Sequence, residues 1–197
     1  MTYELIAALA VFAFVSSITP GPNNLMLMAS GANFGFVRTI PHMSGVALGF
    51  VFMVVVVGLG LSQIFETYPV SHTILKVLSV AYLLFLAWKI ANAAPIGGRE
   101  ATGSPMTFLQ AAAFQWVNPK AWAMALTAVT VYAPDNSPLG MVLVAVVFGA
   151  INLPSVSSWT LLGQQIARVL TNTKRLVAFN WTMAVLLVLS LYPVLWP

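Results

Sequence analysis

Long apolar runs, continuous rather than alternating, dominate this sequence. Hydrophobic residues make up 60% of the 197 residues and charged residues only 6%, and the mean hydropathy is +0.93. Such a composition excludes a water-soluble globular domain. A membrane-spanning helix needs about 20 apolar residues, whereas a membrane-spanning strand would show alternating polarity. The sequence therefore predicts an all-α, polytopic membrane protein.

The apolar runs predict six transmembrane helices in one transmembrane domain. Their expected bounds are about 3–29, 42–63, 73–91, 106–132, 139–166 and 177–196. Residues 93–105 form a polar linker that divides the chain into two three-helix halves, residues 3–92 and 106–197. Because three is an odd number, the second half must enter the membrane from the opposite face. The halves are therefore expected to be inverted repeats.

Each half begins with a span that proline interrupts. Pro20 and Pro22 remove two backbone donors and clash with the preceding turn, so the first helix must break there. Asn118 and Pro119 interrupt the fourth span in the same way. An unpaired backbone group in hydrocarbon costs several kcal/mol, so protein, water or a ligand must pair with each break. In transporters with inverted repeats, broken helices of this kind meet and build the binding site.

The candidate binding residues flank the two breaks, with one more from the fifth span: Thr19, Pro20, Gly21, Pro22, Asn23, Asn24, Gln115, Asn118, Pro119, Lys120 and Asn152. Lys120 lies deep within a predicted span, and an intramembrane charge indicates function by default. Its ammonium would pair with a substrate carboxylate, exchange a proton, or cap carbonyls of the broken helix. The asparagine amides would bind α-amino and α-carboxyl groups or the protein's own backbone. For Asn152, a bond between helices is the alternative to a ligand contact.

The distribution of cations predicts the orientation. The first, third and fifth loops hold nearly all of them: Arg38, Lys89, Arg99, Arg168, Lys174 and Arg175. The positive-inside rule places these loops in the cytoplasm and both termini outside. Glu4 stands where a secretory signal would carry basic residues, so the first span is expected to be retained. Scattered cations give no reason to expect nucleic-acid binding.

Metal sites, cofactors and enzymatic chemistry are not expected. The chain has no cysteine. His42 and His72 are predicted on opposite sides of the membrane, too far apart to share a metal or haem. No carboxylate falls near the membrane centre, which removes an intramembrane aspartyl protease. Ser16, Ser17 and Ser157 could supply a nucleophile, but no histidine or carboxylate lies at a matching depth, which leaves only Lys120 as a base.

Two motifs carry a resemblance to a known family: TPGPN at residues 19–23 and NPKA at residues 118–121. Gly35, Arg38, Gly45, Gly49 and the segment 81–89 extend it. Over essentially the whole chain, the sequence resembles the LysE/RhtB family of amino acid exporters, and within it the cysteine and O-acetylserine exporter branch. The resemblance implies a carrier of the bacterial cytoplasmic membrane that expels amino acids in exchange for protons. It also implies that the carrier can form homodimers.

The leading hypothesis is a secondary exporter of small neutral amino acids or related metabolites, acting as a proton-coupled antiporter. The absence of a central carboxylate argues against a dibasic substrate, whose second cation would lack a counter-ion. Besides the amino acid, membrane lipids are the expected partners. The alternative is a channel-like or lipid-handling membrane protein, which would show flux without saturation or without coupling to a gradient.

Overall fold

The computed structural model describes residues 1–61, 67–93, 104–133, 137–170 and 172–195, and the regular elements in these ranges are all helices. They are, in chain order, α1 (Tyr3–Ile18), α2 (Pro22–Val56), α3 (Val70–Ala91), α4 (Phe108–Phe114), α5 (Pro119–Tyr132), α6 (Pro138–Val169), α7 (Thr173–Leu189) and α8 (Tyr192–Leu195). A π-helical turn, Val57–Leu61, extends α2, and a 3-10 turn, Gln115–Val117, extends α4. Most of the predicted linker, with Arg99, and the predicted span ends at 62–63 and 196 lie outside the described residues.

Polar caps and prolines set where several helices begin. Thr107 and Gln110 form a reciprocal capping box at the start of α4, with each side chain bonded to the other's backbone amide. Proline lies in the first turn of α2, α5 and α6, where its missing donor costs nothing because that amide would have no helical partner. These starts follow from local sequence, and they agree with the predicted spans to within a few residues except around residues 30–41.

Within the described residues, three helices are long and apolar enough to cross a bilayer: Pro22–Leu61, Val70–Ala91 and Pro138–Val169. The shortest of them has 22 residues, or about 33 Å at 1.5 Å per residue, against a hydrocarbon core of about 30 Å. Large apolar side chains such as Leu48, Phe52 and Val77 are more than half exposed on the outer surface, as lipid-facing residues would be. The all-helical, polytopic membrane fold is therefore confirmed.

The loop predicted at about residues 30–41 is reduced to a single residue, because helical geometry runs up to Phe34 and resumes at Phe36. Only Gly35 departs from helical geometry, with φ 79° and ψ 171°, a combination that is essentially restricted to glycine. The amide of Phe36 donates to Gln164 Oε1 of α6 at 2.9 Å, and the Thr39 hydroxyl donates to the Gly35 carbonyl at 2.8 Å. Two helical segments of α2 therefore meet at Gly35, and a hydrogen bond of 2.9 Å between the Ser30 and Thr39 hydroxyls joins them.

Glycines bring the backbones of α2 and α6 into direct contact. A Cβ atom on Gly31 would overlap the Thr160 carbonyl, and one on Gly163 would overlap the Met28 carbonyl. Gly45 and Gly49 play the same part toward α4, since a Cβ on Gly49 would lie 2.6 Å from Ala112 Cα. Small residues at helix crossings are the usual means by which membrane helices pack closely.

Two separate apolar clusters flank the helix breaks. The first includes Leu25 and Phe114, and the second includes Ala121, Phe50 and Phe148. The first break ends just before Leu25, where the chain enters the first cluster. The second break ends just before Ala121, where the chain enters the second cluster. The polar residues of both breaks are consequently held between two packed regions.

Candidate functional site

The first predicted break is present between α1 and α2. Thr19 and Gly21 are extended, with φ/ψ of −64°/142° and 180°/177°, and α2 begins at Pro22. The carbonyls left without helical partners are paired by side chains. Asn24 Nδ2 donates to the carbonyls of Ser17 at 2.7 Å and Thr19 at 2.8 Å, and Trp159 Nε1 donates to that of Ile18 at 3.1 Å. Of the two roles considered for Asn24, the described contacts are those with the protein's own backbone.

The second break lies between the 3-10 turn and α5. Asn118 is extended, with φ −93° and ψ 109°, and its Oδ1 accepts from the Lys120 amide at 3.2 Å. Pro119 is the first residue of α5. Trp122 Nε1 donates to the Trp116 carbonyl at 2.9 Å, and the two rings pack edge to face. Asn118 thus acts as a helix cap, and Trp116 packs against Trp122 inside the protein.

The two breaks touch each other. Asn23 and Gln115 form a reciprocal amide pair, in which Asn23 Nδ2 donates at 2.9 Å and Gln115 Nε2 donates back at 3.2 Å. Gln115 is fully buried and also donates to the Ala111 carbonyl at 2.9 Å. These partners are 92 positions apart in the chain, so the pair joins the first half of the sequence directly to the second.

Lys120 makes the second link between the breaks. Its Nζ donates to the Thr19 carbonyl at 2.7 Å, the Thr19 hydroxyl at 2.9 Å and the Pro20 carbonyl at 3.4 Å. Gly21 makes room for this reach, because a Cβ there would lie 2.7 Å from Lys120 Cδ. Within the described residues, all hydrogen-bond partners of the ammonium are neutral oxygens. A half-buried cation in this setting is suited to bind a carboxylate.

Asn152 of α6 completes the group. Its Nδ2 donates to Ser17 Oγ at 3.1 Å, whereas its buried Oδ1 has no hydrogen-bond partner among the described residues. A buried acceptor without a partner costs about 1–3 kcal/mol, so a water or ligand donor would stabilise it. Asn152 therefore makes the interhelical bond considered from the sequence, and its Oδ1 can accept a further hydrogen bond.

A small cavity of about 20 Å³ lies among these residues. Gly21, Asn23, Asn24, Asn118, Lys120 and Asn152 line it, together with neighbours from α1, α2, α5 and α6. A cavity needs roughly 10–15 Å³ to hold one water molecule, so this one has room for a water but not for an amino acid. The structure is thus closed around the point where the breaks meet.

Six of the predicted site residues line this cavity, and the other five support the residues that line it. Thr19 and Pro20 supply acceptors for Lys120, Pro22 and Pro119 begin the two helices, and Gln115 anchors Asn23. Sequence reasoning missed Ser17 and Trp159, which bond to Asn152 and to the broken backbone. Trp159 lies seven residues after Asn152 on the same helix face, so this spacing could have indicated that both side chains face the first break.

Comparison with known proteins adds the family. The sequence profile described as "LysE type translocator" matches residues 14–191. The chain is 27% identical over 190 residues to the cysteine/O-acetylserine efflux protein of Klebsiella pneumoniae, covering 95% of each chain. It is 30% identical over 191 residues to that of Salmonella typhimurium and 29% identical over 191 residues to that of Escherichia coli K12, covering 95% of this chain and 96% of each relative. No solved structure matches the chain.

These matches confirm the resemblance that the TPGPN and NPKA motifs indicated. The residues that the profile matches include both helix breaks and all of α2 to α6. The family consists of transporters, so the expectation that the chain is not an enzyme holds. This chain belongs to the LysE type translocators, a family of multi-pass membrane proteins that includes amino acid efflux proteins.

Proposed function

We propose that this protein is a secondary exporter of small neutral amino acids or related metabolites. It spans the bacterial cytoplasmic membrane and exchanges its substrate for protons. The observation that carries the proposal is the contact between the two broken helices, where the Lys120 ammonium meets Thr19 and Asn23 pairs with Gln115. The efflux proteins to which the chain is similar are named for cysteine and O-acetylserine, and both compounds are neutral α-amino acids.

The geometry supports one binding mode. The substrate carboxylate would take the place of Thr19 on the Lys120 ammonium, where the N-termini of α2 and α5 add two partial positive charges. The substrate ammonium would donate to the free Oδ1 of Asn152. The described residues that line this cavity include no carboxylate. A substrate with a second cationic group would therefore find no counter-ion, which favours a neutral side chain.

The same contacts support an architecture of six transmembrane helices in two inverted repeats, residues 3–92 and 106–197, joined by the linker at 93–105. In this arrangement α1 corresponds to α4 with its 3-10 turn, and the first part of α2 corresponds to α5. α1 packs on α6 as α4 packs on α2, and α3 packs on α7. The cation distribution supports cytoplasmic first, third and fifth loops, with both termini outside.

Transport requires the closed cavity to open first to one side and then to the other. The segment of α2 from Pro22 to Phe34 is suited to that movement, because a flexible point bounds each end. The extended break at Thr19 to Gly21 precedes it, and the Gly35 kink follows it. A tilt of this segment would separate Asn23 from Gln115 and admit a substrate. Hinges in transporters are commonly a few residues that absorb a large backbone change.

The proposed function is tested by counterflow in proteoliposomes. Reconstituted protein loaded with unlabelled O-acetyl-L-serine should take up labelled L-serine and O-acetyl-L-serine with saturation, and L-lysine at least tenfold more slowly. An imposed pH gradient should drive net movement of the neutral substrates. Linear flux that no gradient drives would instead favour the channel-like or lipid-handling alternative.

We expect Gly35→Ala to slow exchange by about tenfold without preventing folding. No atom lies within 4 Å of a Cβ at this position, so the substitution acts only through φ. Holding alanine at φ 79° and ψ 171° costs about 1–3 kcal/mol, which disfavours the closed form. Gly58→Ala is the control, because its Cβ would meet only the flexible Met141 side chain at 3.0 Å. Equal exchange rates in the two variants would show that Gly35 is not a hinge of the transport cycle.

A further inference from the structure

A second and larger cavity lies further along the Pro22–Phe34 segment. Its volume is about 240 Å³, and its walls come from α2, the last turns of α3 and residues 104–106. On the measure by which one water needs roughly 10–15 Å³, that space is more than tenfold larger, which suits a small amino acid. The cavity between the breaks, at about 20 Å³, has no such room.

The unpaired ring nitrogens of His42 are the observation that indicates a ligand in this cavity. Its side chain is 2% exposed and lines the cavity, and neither ring nitrogen has a hydrogen-bond partner among the described residues. A neutral imidazole has one donor and one acceptor, and each buried polar group left unpaired costs about 1–3 kcal/mol. Native proteins rarely leave two such atoms unpaired on one side chain, so a ligand or water is expected there.

The other walls define what that ligand would be. Lys89, in the last turn of α3, contributes an exposed ammonium to the lining. Asn33 is already bound in a reciprocal amide pair with Asn180, at 2.8 and 3.2 Å. Met26, Leu86, Met106 and neighbouring side chains make most of the remaining surface apolar. Lys89 and His42 therefore give the described part of this lining an anion-binding character beside a small apolar pocket.

Helix geometry connects this cavity to the point where the breaks meet. Met26 lines the larger cavity and Asn23 lines the smaller one. They are three residues apart on one helix face, about 4.5 Å along the axis. The Asn23–Gln115 pair therefore lies about one turn from the larger cavity. A tilt of the Pro22–Phe34 segment would join the two spaces.

We propose that the larger cavity is a second amino acid site, at which the substrate waits before it reaches the helix breaks. The substrate carboxylate would pair with Lys89 and, after a rotation of the ring that turns its buried nitrogens into the cavity, with the imidazole N–H of His42. The small side chain would lie against Met26 and Leu86. In the orientation proposed above, Lys89 is on the cytoplasmic side, which is where an exporter must collect its substrate. This inference rests on the proposed function and adds to it a site separate from Lys120.

The absence of cysteine from the chain makes a direct test simple. Ala93→Cys places one thiol on the cavity wall at a half-buried position. O-acetyl-L-serine should slow its reaction with a small hydrophilic thiol reagent at least fivefold. Lys174→Cys, exposed in the first turn of α7, is the control and should react at the same rate with or without the amino acid.

His42→Phe in the Ala93→Cys background should raise the concentration of O-acetyl-L-serine needed for protection by about tenfold. His42→Asn, which keeps one donor and one acceptor, should restore much of it and serves if the Phe variant fails to fold. Unchanged protection in both variants would overturn the inference, as would no protection in a protein that still exchanges. Protection that follows the anionic lipid content of the vesicles would also overturn it. If O-acetyl-L-serine protects the thiol but the protein shows no saturable counterflow, the proposed transport function is overturned and the amino acid site stands.

Discussion

Lys120→Met should reduce amino acid exchange by at least about 100-fold while the protein remains folded and inserted. Methionine keeps most of the side-chain volume but has no donor, so the Thr19 and Pro20 carbonyls and the Thr19 hydroxyl lose their shared partner. The substrate carboxylate loses its counter-charge at the same time. Hydrogen bonds to charged groups contribute about 1.5–3 kcal/mol, and 3 kcal/mol corresponds to roughly a 100-fold change in binding.

Counterflow per folded protein is the measurement, with melting temperature recorded beside it. Lys120→Arg keeps the charge in a different shape and should retain part of the activity. Lys174→Met, at an exposed position, should leave exchange unchanged. If Lys120 only capped the broken backbone, the Met variant would melt earlier but exchange normally. Undiminished exchange by Lys120→Met would remove the residue from substrate binding.

Gly163→Ala should lower the melting temperature in detergent by roughly 5–10 °C, and Gly163→Leu should prevent folding. The added Cβ would overlap the carbonyl of Met28, which is held in the helical part of α2 and cannot turn away. Overpacking of this kind costs about 1–3 kcal/mol or more, and each kcal/mol shifts the melting temperature of a chain this size by about 2–4 °C. Gly31→Ala, which meets the Thr160 carbonyl, should behave in the same way.

The fraction of protein that remains monodisperse after heating is the measurement. Gly58→Ala is again the control, because the Met141 side chain can move aside. We expect a loss of less than about 2 °C for it. A melting temperature for Gly163→Ala as high as that of Gly58→Ala would show that α2 and α6 do not depend on backbone contact.

One error in the sequence-based interpretation shows how a membrane changes the usual signals. Gly31, Gly35 and Pro41 close together predict a loop in water, where a broken backbone bonds to solvent. Here the Gln164 side chain pairs with the Phe36 amide beside Gly35, so two helical segments meet with only one non-helical residue between them. The partner comes from α6, more than 120 positions away in the chain. No pattern near residue 35 could have indicated it.

The sequence by itself determined the membrane helices and the two breaks. Both follow from local causes: the length of an apolar run, and prolines that lack a donor and clash with the turn before them. The tertiary structure decided which polar group found a partner. It turned Asn24 toward its own backbone, joined Asn23 to Gln115, brought Lys120 to Thr19, and left His42 and the Asn152 carbonyl oxygen unpaired. Those outcomes depend on which helices pack together and how closely their glycines let them approach, and the contacts between helix breaks join residues about 100 positions apart.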